Sequence, residues 1–111
     1  MKEIQLQTKI FQHFWNKYPQ TRRCIFHIPN GGKRNRIEAT HMKASGVVAG
    51  IPDLILAWKG KIYGIELKTK TGIHSENQLK VKQSWDVNGN PYITFNNFDD
   101  CVSFIEKIIL S

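Results

Sequence analysis

The chain has 111 residues, one domain's worth, with 41% hydrophobic and 23% charged side chains; that composition fits an ordinary globular protein and leaves no room for a second core. No stretch approaches the ~20 apolar residues that span a bilayer, and Met1-Lys2-Glu3-Ile4-Gln5 lacks the apolar centre of a signal peptide, so an intracellular protein is expected. The net charge of +7 favours a polyanionic partner, nucleic acid above all.

Residues 3–18 predict an amphipathic helix, with Ile4, Phe11, Phe14, Trp15 and Tyr18 recurring at helical spacing and Pro19 stopping it. Cys24 to Ile28 reads as a short buried strand that ends at the breaker cluster Pro29-Asn30-Gly31-Gly32. Residues 33–50 are less regular and basic, with a short helix over Ile37–Ala44 and a small-residue run from Ser45 to Gly50. Asp53 to Trp58 and Lys61 to Lys68 read as two strands joined by a hairpin turn at Lys59-Gly60. Ser75 to Val87 predicts a helix stopped by Asn88-Gly89; Pro91 to Phe95 predicts a fourth strand. Asn97 to Leu110 predicts a closing helix with a stripe of Phe98, Val102, Ile105, Ile108 and Ile109, and with Asp99 and Asp100 at the positive end of its dipole. Cys24 and Cys101 lie apart among apolar neighbours, without metal-ligand spacing, and read as free thiols. The order α-β-(α)-β-β-α-β-α describes a single α/β domain over residues 1–111, a small mixed sheet of about four strands flanked by helices.

The hairpin carries the chemistry. With Lys59 and Gly60 as the two turn residues, Trp58 pairs with Lys61, Ile55 with Gly64, and Asp53 with Glu66. Directly paired residues share a face, and Lys68 joins that face two residues beyond Glu66. Leu54, Leu56, Trp58, Tyr63, Ile65 and Leu67 make the opposite, core-forming face. Two carboxylates across a strand pair repel, and a divalent cation resolves the conflict. Mg²⁺ takes oxygen ligands and keeps several waters, leaving room for a phosphate oxygen, with Lys68 beside it to orient water or neutralise charge. The simpler reading, an ion cluster of Asp53, Glu66 and Lys68 on the surface, would suit a bare Glu-x-Lys strand. The in-register Asp53, preceded by Pro52 and a glycine-containing loop, favours function.

Pro52-Asp53 followed by Glu66-Leu67-Lys68 resembles the PD-(D/E)XK nuclease superfamily. The wider pattern resembles its virus-type replication-repair nuclease (VRR-Nuc) branch: Ile28-Pro29-Asn30-Gly31-Gly32, Gly50-Ile51-Pro52-Asp53-Leu54, Ile65-Glu66-Leu67-Lys68 and Ser75-Glu76-Asn77-Gln78, after an opening helix bearing Glu3. The resemblance covers nearly the whole chain. It implies a restriction-endonuclease-like fold and Mg²⁺- or Mn²⁺-dependent hydrolysis of DNA phosphodiesters. It also implies metal ligands at Asp53, Glu66 and the Leu67 carbonyl, a catalytic Lys68, and accessory site positions at Glu3 and Gln78. Small stand-alone viral members imply a homodimer acting on branched DNA such as four-way junctions, in the cytoplasm of a bacterial or phage-infected cell.

The accessory residues also have local readings. Glu3 suits the first turn of any helix, Ser75-x-x-Gln78 is a capping box, and Asn30 is a turn former. Asn30, Lys33, Arg34, Arg36, Lys43 and Lys70 are expected to meet DNA, with Lys80 and Lys82 as further candidates; contacts to phosphate would position a duplex without reading its sequence. A noncatalytic nucleic-acid-binding module explains the charge but not the facing carboxylates, and a purely structural subunit explains neither. His27, His41 and His74 carry no assigned role.

Overall fold

The computed structural model describes residues 1–29, 35–69 and 73–111. Along the chain come α1 (Glu3–Lys17), a 3₁₀ turn (Pro19–Thr21), β1 (Ile25–His27), α2 (Arg36–Ala44), β2 (Leu54–Trp58), β3 (Lys61–Leu67), α3 (Glu76–Val87), β4 (Tyr92–Phe95) and α4 (Phe98–Ile109). The strands form one sheet in the order β1-β2-β3-β4. The first two pairings are antiparallel, and β4 joins β3 in parallel, as the crossover through α3 demands. This is the mixed α/β sheet expected from the element order. Among the described residues no helix is long and apolar enough to cross a membrane.

The β2–β3 register is the predicted one: Trp58 pairs with Lys61, Ala57 with Ile62 and Ile55 with Gly64. Its cause is the turn. Lys59 and Gly60 both have positive φ, 45° and 79°, the left-handed pair that lets a two-residue loop match the twist of its strands.

Alternation then sorts the side chains. Leu54, Leu56, Ile65 and Leu67 point into a core closed by Leu6, Ile10 and Phe14 of α1 and by Cys101, Val102, Ile105 and Ile109 of α4. The rung of α1 that goes inside differs from expectation. Ile4 and Trp15 stay exposed, and Leu6, Ile10 and Phe14, spaced four apart, take the core face. Both cysteines are free, and burial pushes the Cys101 thiol up to about 12, so it packs as a small hydrophobe.

On the other face α3 lies across the sheet, and Gly64 makes room for it. A Cβ there would sit 2.6 Å from Cγ of Pro52 and 2.8 Å from the Trp85 ring. The space that the glycine opens on the site face is thus filled by the loop before β2 and by α3. Overpacking of this kind costs roughly 1–3 kcal/mol, so Gly64→Ala is expected to lower the unfolding free energy by that amount and the urea midpoint with it. An unchanged midpoint in urea titration would refute the packing account.

Candidate active site

Asp53 lies one residue before β2, in line with the register that would set it opposite Glu66. The two residues are joined twice. The backbone N–H of Asp53 donates to Oε1 of Glu66 at 3.2 Å, and the N–H of Leu67 donates to Oδ2 of Asp53 at 2.8 Å. The other oxygen of Glu66 gathers two cationic or amide donors: Nζ of Lys68 at 3.5 Å and Nε2 of Gln78 at 2.5 Å. Asp53, Glu66, Lys68 and Gln78 therefore meet in one cluster.

Gln78 reaches it from the first turn of α3 while serving as a cap. Its Oε1 accepts from the Ser75 N–H at 2.9 Å, and its own N–H donates to the Ser75 hydroxyl at 3.1 Å. The capping box fixes the amide so that its NH₂ faces Glu66. The loop before β2 is held against the same turn. Gly50, at φ +92°, comes so close that a Cβ would lie 2.5 Å from the Asn77 carbonyl oxygen. Tyr92, on β4, donates its hydroxyl to the Gly50 carbonyl at 3.0 Å. Burial, followed by the charges of Glu66 and Asp53, raises the Tyr92 hydroxyl far above its ordinary range, so it stays a donor. Sequence reasoning missed Tyr92, because its strand offered no sign that its tip would anchor the site loop.

Glu66 is 4% exposed. Burial first, and then the neighbouring charge of Asp53, pushes its carboxyl up to about 7, against the opposing pull of Lys68.

The donor chemistry fits a hard divalent ion. Among the described residues no group of three or more His, Cys, Asp or Glu side chains stands ready to hold a metal. A pair of carboxylates falls below that count, yet Mg²⁺ is commonly held by one or two carboxylates, with water and substrate phosphate completing its shell. The Leu67 carbonyl would offer a further oxygen. In a strand a residue's N–H and C=O point to the same side. The Leu67 N–H is turned to Asp53, whereas the next N–H, that of Lys68, is turned to Phe95 of β4, so the Leu67 carbonyl faces Asp53.

The remaining expected residues are distributed unevenly. Glu3 lies in a cleft with Thr69, one residue beyond Lys68, at the start of α1, and no hydrogen bond ties it to the carboxylate cluster. Arg36 and Lys43 are exposed at the two ends of α2, none of whose residues is buried. Lys80 and Lys82 pair with Glu76 and Asp86 along α3, at 3.3 and 2.9 Å, the ordinary surface arrangement. The expectations for Asn30, Lys33, Arg34 and Lys70 lie outside the described residues. Two histidines border the site. His27 Nδ1 donates to the Asp53 carbonyl at 2.6 Å, and His74 Nε2 hydrogen-bonds with the hydroxyl of Thr94, the register partner of Glu66, at 2.6 Å.

The fold is shared with a solved structure described as a VRR_NUC domain protein: TM-score 0.81, covering 99% of this chain and 89% of the other, at 23% sequence identity. The restriction-endonuclease-like architecture expected from the motif residues is therefore the architecture observed. No family model matches the sequence, and no curated protein matches it.

The raised Glu66 carboxyl makes metal-free stability depend on pH. A folded value above the unfolded one means that the folded chain holds the extra proton between the two values, so this contribution is full below about 4.5 and is lost as pH rises through about 7. In EDTA the unfolding free energy is expected to fall across that window by an amount on the order of 3 kcal/mol, and Glu66→Gln to flatten the fall. An equal slope in wild type and variant would place the titration elsewhere.

Proposed function

We propose that the chain is a metal-dependent nuclease that hydrolyses DNA phosphodiester bonds at the Asp53–Glu66–Lys68 cluster. The observation that carries this reading is the meeting of two carboxylates, one of them buried, with a lysine and an amide on one end of a hairpin. A stability role explains it poorly, since like charges directly opposed weaken a strand pair. The shared fold supports the reading.

Asp53, Glu66 and the Leu67 carbonyl would hold Mg²⁺ or Mn²⁺. The bound ion supplies Lewis-acid polarisation of the scissile phosphate and lowers the pKa of bound water. In the hydrolysis a water oxygen bonds to phosphorus, one P–O ester bond breaks, and the leaving oxygen takes a proton. Lys68 is braced by Glu66 and keeps N–H donors free for the phosphorus oxygens, where negative charge builds in the transition state. Gln78 fixes the orientation of Glu66 from the far side. Arg36 and Lys43 would meet phosphates along the substrate, joined by Asn30, Lys33, Arg34 and Lys70 of the two basic stretches. Glu3, near Thr69 at the same end of the sheet, would serve as an accessory acidic group.

The resemblance to stand-alone viral nucleases extends the proposal to branched DNA, cut by a homodimer whose two-fold axis sets symmetric incisions on opposing strands. A panel of labelled single strands, duplexes, flaps and four-way junctions with Mg²⁺ or Mn²⁺ tests it. Asp53→Ala and Lys68→Ala are expected to fold, to bind DNA and to abolish cutting; undiminished cutting by either refutes the assignment. Gln78→Ala should lower the rate about 10–100-fold, the range for removal of a group that orients a metal ligand. Binding through phosphates should weaken steeply with added salt, and a flat salt response in filter binding contradicts the basic surface's assigned role.

A further inference from the structure

A groove of about 480 Å³ runs between α1 and β1, lined by Phe11, Trp15, Arg23, Phe26 and His27 among others. Its rings are open to solvent: Trp15 is 41% exposed and Phe26 40%. Phe11 and Trp15 stack at 5.8 Å with their planes 28° apart. The guanidinium of Arg22 lies over the Trp15 ring, 5.0 Å from its centre, and is fixed there because its Nε donates to the Trp15 carbonyl at 2.9 Å. Arg23 is held at φ 72°, a left-handed conformation that a non-glycine residue adopts at a cost. Among the described residues no Asp or Glu lines the groove. At one end of the groove His27 is hydrogen-bonded to the backbone carbonyl of Asp53.

We propose that this groove binds the unpaired bases of a single-stranded stretch of nucleic acid. Exposed rings and an arginine plane offer stacking surfaces to bases whose faces are free, as those of a duplex are not. The absence of acid among the lining residues, with two arginines at hand, selects a polyanion. A second copy of the chain fits less well, because a two-fold contact sets the same patch against itself and would oppose Arg22 and Arg23 to their counterparts. As a statement about substrate the inference rests on the nuclease reading: it specifies DNA in which a paired segment gives way to a single strand. Binding by the groove stands independently of cleavage.

The test is equilibrium binding by fluorescence anisotropy, with the full chain in EDTA so that nothing is cut. The probes are a labelled oligo(dT), an abasic strand of the same length, and a blunt duplex. Wild type should prefer oligo(dT) to the abasic strand. Trp15→Ala should weaken oligo(dT) about tenfold or more while leaving the abasic strand and the duplex unchanged, and Trp15→Phe should retain most of the affinity. Equal affinity of wild type for oligo(dT) and the abasic strand overturns the proposal. So does a Trp15→Ala protein, folded by circular dichroism, that binds oligo(dT) as wild type does. Loss of a sedimenting dimer in Trp15→Ala with unaltered oligo(dT) binding also overturns it and makes the groove a protein interface. A wild-type chain that shows the base-dependent binding yet cuts nothing with Mg²⁺ or Mn²⁺ supports the groove and refutes only the nuclease reading.

Discussion

Two residues in left-handed backbone, Lys59 and Gly60, set the pairing of β2 with β3, and the remainder of the site is built on that pairing. A strand has a side-chain period of two, so slipping the register by one would move Glu66 to the face that packs on α1 and α4 and turn Leu67 toward Asp53. The turn, the apolar alternation and the close fit of Pro52 against Gly64 all select the same register. Because three separate features agree, a conflict of charge can be held at the hairpin's open end without unravelling it.

That conflict is distributed over several elements. Asp53 comes from the loop before β2, Glu66 and Lys68 from β3 and its end, and Gln78 from the first turn of α3. Each group does two things. Asp53 faces its carboxylate partner and also ties the Leu67 backbone, while Gln78 caps a helix and also donates to Glu66. A group that closes a local hydrogen-bond ring loses little further freedom by pointing at the site, so its orientation is largely set by the fold.

The hairpin was legible because its evidence is local: a turn pair, an alternation and two acids at matching distances from the turn. The helix over residues 3–18 was legible as a helix but not in its facing. Of the expected set Ile4, Phe11, Phe14, Trp15 and Tyr18, Phe14 is buried and Phe11 and Tyr18 pack at the core's edge, but Leu6 and Ile10 take the places of Ile4 and Trp15, a choice made by what the sheet and α4 present. Exposed Trp15 and half-buried Phe11 now floor the α1–β1 groove. Ser75-x-x-Gln78 announced its cap, and only the docking of α3 aims the free end of the amide at Glu66. Nothing in the sequence placed Tyr92 or His27 beside the site, since they arrive through β3–β4 and β1–β2 pairings between segments far apart in the chain.

The same turn governs the order in which the protein comes together. Asp53 and Glu66 are only 13 residues apart in the chain, whereas α1 and α4 meet across nearly its full length. Hairpins close in roughly 1–10 μs, and distant pairings wait on the entropy of closing long loops. The opposed acids are therefore neighbours before the core that buries one of them is complete. Their mutual repulsion thus bears on the early steps of folding as well as on the finished cluster.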